Sequence, residues 1–133
     1  MNAQGFTLPE VLAAALLVLP MSVIVVQLVP RMMKLNVHSS AVMRAGLVCE
    51  QKKNQIWANC KGVGSGVGFS QNYTQSTAAV PSPYADLLIQ VTDTTQGSLK
   101  TVVITVWKDL IVNSTKDASE PGALVTMVVQ NGE

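Results

Sequence analysis

The chain has 133 residues, of which 48% are hydrophobic, 13% charged and 5% aromatic, with a net charge of +1. This describes one modest domain with a surplus of apolar side chains, and it excludes a disordered chain, which is poor in apolar residues and rich in charge. So small a net charge also speaks against a nucleic-acid binder, and two cysteines with one histidine cannot by themselves complete a four-ligand structural zinc site.

The charge is unevenly placed. Residues 1–30 carry one charged side chain, Glu10. Residues 31–61 carry Arg31, Lys34, Arg44, Lys52, Lys53 and Lys61 against Glu50, a net of +5. Residues 62–133 carry three lysines against Asp86, Asp93, Asp109, Asp117, Glu120 and Glu133, a net of −3. Opposite poles suit head-to-tail or side-by-side packing of copies; salt screens such exposed charges, and solvated faces are the plainer alternative.

From Val11 to Pro30 there are 20 residues without a charge. About 20 residues of helix span a bilayer core. A cleaved secretory signal fits poorly. The first five residues contain no Lys or Arg, and Arg31-Met32-Met33-Lys34 stands where a small-residue cleavage site would close the apolar core. A plain membrane anchor leaves Glu10 unexplained, because a carboxylate within a spanning segment costs roughly 2.5–3.5 kcal/mol and is usually functional. A Glu10 that snorkels to the membrane surface is the plainer reading.

Gly5-Phe6-Thr7-Leu8-Pro9-Glu10-Val11-Leu12, followed by the apolar run, resembles the class III signal of type IV pilins and type II secretion pseudopilins. The resemblance implies that a prepilin peptidase cuts between Gly5 and Phe6 and that the amine of Phe6 is then N-methylated. It also implies that Glu10 becomes the fifth residue of the mature chain and serves subunit assembly. A weaker likeness covers Ala45-Gly46-Leu47-Val48-Cys49-Glu50-Gln51-Lys52, which is similar to a helix of minor pilins of the V type and minor pseudopilins of the I type.

The match has departures. The leader lacks the usual Lys or Arg, and the positive charge lies after the span, so the positive-inside rule alone would place the tail in the cytoplasm. The resemblance implies the opposite orientation, which the peptidase site requires. Pro9 stands where Ile or Leu is more usual, in the first helical turn, where its missing N–H has no intrahelical partner to lose. The role of Glu10 has a physical basis of its own. Cleavage creates a cation at Phe6, and in a bundle of helices that amine can meet Glu10 of a neighbouring subunit. An opposite charge in a low-dielectric site stabilises the carboxylate, and the pair fixes axial register. Pro20 frees the carbonyl of Leu16 and Pro30 that of Val26, so each is a candidate helix kink.

The helix is expected to continue from Met32 to about Trp57, with a broken apolar stripe of Met32, Leu35, Val42, Ala45, Cys49 and Ile56. His38 is alone and reads as a solvated or interface side chain. The glycine-rich run Gly62–Gly68 ends the helix; it lacks the Lys and hydroxyl of a phosphate-binding loop. Residues 69–83 read as a polar surface loop. Strands are expected at Tyr84–Thr94, Leu99–Lys108 and Ala123–Gln130, with a polar loop from Asn113 to Gly122. Leu87, Ile89 and Val91 share one face, as do Val102, Ile104 and Val106.

Cys49 and Cys60 allow two readings. Disulfides persist outside the inner membrane. In an unbroken helix, however, 11 residues separate the two by roughly 16 Å, whereas a disulfide needs Cα atoms within about 7 Å. Either the helix ends before Cys60 and the pair bonds, or both are free thiols on one helix.

The expected fold is therefore α+β: a long N-terminal helix, transmembrane in its first half, packed on a small antiparallel sheet of about three strands. Its parts are a leader at 1–5, a transmembrane and assembly helix at 6–30, the soluble half of the helix at 31–60, and a loop with a small sheet domain at 61–133. No catalytic constellation, metal site or cofactor motif is present in the sequence, so an enzyme is not expected. The expected partners are the prepilin peptidase, other pilins or pseudopilins, and the inner membrane, with the C-terminal part in the periplasm before entry into a pilus or pseudopilus. The expected function is a structural minor subunit of such a filament. The alternatives are a major subunit and a monomeric membrane-anchored periplasmic binding domain.

Overall fold

The computed structural model describes residues 7–62 and 68–131. The chain divides into two compact units, Met1–Val37 and His38–Glu133. One helix, α1, runs from Leu8 to Cys60 over 53 residues. It is unbroken at Pro20 and Pro30. Close to Pro20 the hydroxyl of Ser22 donates to the carbonyl of Leu19 at 2.8 Å, a local bond that a polar side chain within an apolar helix can make for itself.

In the first unit every described side chain is exposed. Leu8, Leu16, Leu17, Val26, Met32 and Met33 all face outward. The helix there is apolar on all sides, which marks a helix made for burial in a membrane or among other helices.

In the second unit the helix buries Ala41, Ala45, Val48, Cys49 and Ile56. Their three- and four-residue spacings make one stripe. The expected stripe held Ala45, Cys49 and Ile56 correctly. It missed Ala41 and Val48, and it included Val42, which lies at the exposed margin; Met32 and Leu35 belong to the first unit.

The sheet has four strands among the described residues, one more than expected: β1 Gln75–Ala79, β2 Leu88–Gln96, β3 Leu99–Trp107 and β4 Gly122–Gln130. They pair antiparallel in the order β1-β2-β3-β4. The additional strand lies inside the stretch read as a loop. Its residues QSTAA carry no apolar alternation, and its pairing with β2 is irregular between Gln75 and Ala78. The β2–β3 turn is Gly97-Ser98, joining the paired residues Gln96 and Leu99. Gly97 has φ 60°, which a glycine at the first central position of a type II′ turn supplies without strain.

Ile89 and Val91 on β2, Val102, Ile104 and Val106 on β3, and Met127 and Val129 on β4 are buried with the helix stripe in one core. The two faces expected for β2 and β3 are both found. Trp107 is buried as well and pairs with Gly122. A Cβ at Gly122 would meet the Val106 carbonyl oxygen at 2.6 Å and the Trp107 Cβ at 2.8 Å, so only glycine fits there.

One charged pair lies inside this unit. Lys100 is 1% exposed, in step with Val102 along β3. Its Nζ donates to Asp93 Oδ2 at 2.9 Å and to the Gln71 carbonyl at 2.7 Å. The Tyr73 N–H donates to the same Asp93 oxygen at 2.9 Å. The ammonium also lies 5.3 Å from the Tyr73 ring centroid and 5.5 Å from that of Phe69, within cation–π range. These contacts fasten the segment before β1 to the β2–β3 hairpin.

Removing one member of a buried pair leaves an uncompensated charge. Asp93→Ala should therefore lower the unfolding free energy of the full-length chain in detergent by about 3–5 kcal/mol, read by tryptophan fluorescence in urea. Asp93→Leu combined with Lys100→Met should recover most of the loss. An Asp93→Ala chain as stable as the wild type would refute this account.

Candidate functional site

The expected processing site, Gly5 and Phe6, lies outside the described residues. The description begins at Thr7, and Glu10 is exposed in the first turn of α1. The Thr7 carbonyl accepts the N–H groups of Glu10 at 3.0 Å and Val11 at 3.2 Å. The Glu10 carboxylate in turn accepts the Thr7 N–H at 2.9 Å and the Thr7 hydroxyl at 2.8 Å. Thr7 is thus the N-cap, and Glu10, three residues on, reaches back to satisfy its free donor, as in half of a capping box. A carboxylate there also faces the positive end of the helix dipole. Thr7-Leu8-Pro9-Glu10 carries that signature openly, a capping role beside the assembly and snorkelling roles expected of Glu10. Pro9 sits in the first turn, as expected.

Cys49 and Cys60 are both free, and the helix continues to Cys60. Of the two readings the structure has the free thiols: without a break between them the two residues keep their helical separation. Cys49 is buried against the sheet, its Sγ 3.6 Å from the Ala123 carbonyl and 3.9 Å from that of Ile104. Burial pushes its thiol up to about 11, against a lowering contact with the Val106 backbone, and the neighbouring Glu50 charge adds to the rise. Cys60 is partly buried at the margin of the core. Burial, and then contact with Cys60, push the Tyr73 hydroxyl up to about 12.

The connection from β3 to β4 is a loop held by its own carboxylates. Its base is closed by the Lys108 N–H, which donates to the Pro121 carbonyl at 2.9 Å. Glu120, 4% exposed, accepts the N–H groups of Leu110 at 2.6 Å, Ile111 at 3.2 Å and Asp117 at 3.1 Å. Asp109 accepts those of Val112 at 2.6 Å, Ser114 at 2.9 Å and Asn113 at 3.3 Å. The Ser114 N–H holds the Asp109 carboxyl below the usual aspartate range, against desolvation and with help from the N–H groups of Val112, Asn113 and Ile111. Sequence reasoning took Asn113 to Gly122 as a polar loop and left residues 109–112 without a role.

Arg44 forms a two-pronged bond to Asp86, at 3.1 and 3.2 Å, and Lys108 reaches the same carboxylate at 3.5 Å. His38 is exposed. No group of His, Cys, Asp or Glu among the described residues could hold a metal ion. Comparisons of the chain with protein-family models, with curated proteins and with solved structures give no match.

Two outcomes follow. On native protein at neutral pH a maleimide should label Cys60 and spare the buried Cys49, and denatured, unreduced protein should show two thiols; none would restore the disulfide. A carboxyl depressed on folding stabilises above its unfolded value of about 3.9 and loses that contribution as pH falls through its lower folded value. The amides of Val112 and Ser114 should therefore stay protected from hydrogen exchange at pH 5 and above and lose protection only in stronger acid. In Asp109→Asn they should exchange faster at pH 5 and above, and no differently in strong acid; unchanged exchange at pH 5 and above would count against the carboxylate's role.

Proposed function

We propose that this chain is a structural minor subunit of a type IV pilus-like or type II secretion filament, assembled at the inner membrane. A prepilin peptidase cuts between Gly5 and Phe6, the Phe6 amine is methylated, and the C-terminal part lies in the periplasm until the subunit enters the fibre. The observation that carries this reading is the helix from Thr7 onward, apolar on every side and exposed along its whole first unit, with Glu10 as the one charged group before Arg31. Such a surface needs lipid when the subunit is stored and other helices when it is assembled. Passage of the cut subunit from the membrane into the fibre exchanges one apolar environment for the other.

The capped Glu10 fits both stages. Before assembly its carboxylate is satisfied by Thr7 of its own helix, which lowers the penalty of placing it at the membrane edge. On assembly the methylated amine of a neighbour adds a cation to an acceptor already held in place. The fold supports the reading further, since a long N-terminal helix backed by an antiparallel sheet is compatible with a pilin-like subunit. The alternative of a major subunit shares all these features and differs in copy number.

The membrane fraction should contain a chain that begins with N-methylated Phe6, detected by mass spectrometry of the N-terminal peptide. Gly5→Val should leave the precursor uncut, because only glycine lets the peptidase approach the backbone without a Cβ. Glu10→Val should insert into the membrane as well as the wild type or better, yet enter filaments poorly. An intact N-terminus at Met1 in wild-type cells would sink the filament reading and leave the monomeric anchored domain.

A further inference from the structure

The two edges of the sheet are β1 and β4, and they differ in kind. β1 has five residues, and its pairing with β2 is irregular between Gln75 and Ala78. Shortness and irregularity are ordinary ways of blunting an edge against a further strand. β4 has neither. It runs nine residues, GALVTMVVQ, in unbroken register with β3, with no charge and no proline among them. A long, regular, uncharged edge is a template for pairing.

The register decides which backbone groups of β4 are free. At one end of the β3–β4 ladder the Lys108 N–H donates to the Pro121 carbonyl, and at the other the Asn131 N–H donates to that of Ser98. Antiparallel bonds recur at every second residue, so Ala123, Val125, Met127 and Val129 bond to β3. The N–H and C=O groups of Leu124, Thr126 and Val128 point the other way, and among the described residues no strand meets them. Alternating donors and acceptors at this spacing match one thing, the backbone of another extended segment.

Both faces of the edge also offer side-chain contacts. On the outer face Leu124 and Val128 are 62% and 57% exposed. On the helix side a cleft of about 330 Å³ is lined by Lys53, Asn54, Trp57, Thr126 and Met127. A strand laid along β4 alternates its side chains between the two faces: one set covers Leu124 and Val128, and the other enters the cleft beside Trp57. A second copy of the chain is the poorer occupant. Paired antiparallel about Thr126, it would bring its own helix to the same side, and a single turn of helix, about 10 Å wide and 5.4 Å long, is already larger than the cleft.

We infer that β4 is completed by an extended segment of a different polypeptide, apolar on both faces, which adds a fifth strand to the sheet. The backbone groups of Leu124, Thr126 and Val128 hold it, and the cleft beside Trp57 selects its side chain. The inference stands on the second unit alone and holds whether or not the chain enters a filament.

The test uses the full-length chain. In detergent the amides of Leu124, Thr126 and Val128 should exchange about tenfold or more faster than those of Val125, Met127 and Val129. In cells that make the chain naturally, a photoreactive side chain at Asn54, an exposed residue of the cleft, should link it to one short segment of a different protein. Thr126→Pro removes an outward N–H, which an edge strand tolerates, so the urea midpoint should hold while the link is lost; Val128→Pro repeats this at a second outward amide. Equal protection of all six amides in the isolated chain would overturn the inference, because the edge would then be covered from within. So would a link only to lipid or to another copy, no link at all, or a link that survives both proline variants. Unfolding of both variants would overturn it too, since proline at these positions breaks only a ladder of the opposite parity.

Discussion

A helix that is apolar all round cannot be left in water, and this constraint governs the N-terminal part of the chain. Leu, Val, Ile, Met and Ala make up all of residues 11–30 except Pro20, Ser22, Gln27 and Pro30, with no charge among them, and none of these side chains is buried by the rest of the chain. At about 25 cal/mol for each Å² of apolar surface, leaving them all wet would outweigh the few kcal/mol by which a domain of this size is stable. The missing cover must come from outside the chain. Lipid supplies it for one helix, and other helices supply it in a bundle. The cap at Thr7 and Glu10 belongs to the same constraint, since free N–H groups at a helix end are costly wherever water is scarce.

The second unit solves the opposite problem, a core of its own from about 90 residues. Its helix stripe is narrow and includes two alanines, and the sheet answers with β-branched residues from its three longer strands. Much of this was legible. The alternation at Leu87, Ile89 and Val91, and at Val102, Ile104 and Val106, gave both the strands and their buried face. β1 was not legible because it is an edge strand of small and polar residues; its backbone pairs with β2 while its side chains carry no period-2 pattern. The helix stripe was half legible. Apolar periodicity marks which residues can face a core, and Val42 shows that it does not mark which of them do.

The buried Lys100–Asp93 pair was wholly hidden. A lysine in a strand reads as a solvent-facing position, and its place in step with Val102 and Ile104 is visible only once the register is known. The ammonium is tolerated there because a carboxylate, a carbonyl and two aromatic rings replace its water. Pairs of this kind seldom add net stability over apolar residues of the same volume. What this one does is local. Gln71 and Tyr73 are joined to it through their backbones, so the charge pair decides where the chain lies as it enters β1, a segment with few apolar side chains to decide it otherwise.

The β3–β4 loop follows the same logic with the opposite outcome. There too a carboxylate with little exposure, Glu120, orders backbone that apolar packing does not reach, but the side chains so ordered point outward. In a chain selected only for stability, the sequence Leu110-Ile111-Val112 would be turned inward or replaced by polar residues, since neither the hydrogen bonds of Asp109 nor those of Glu120 need apolar side chains above them. The polar framework and the apolar tip are thus separable. The framework explains how the loop keeps one conformation, and no described residue covers the tip. Side chains held in one conformation lose little further entropy when they are covered, so the order of this loop and its exposure are separate properties with separate causes.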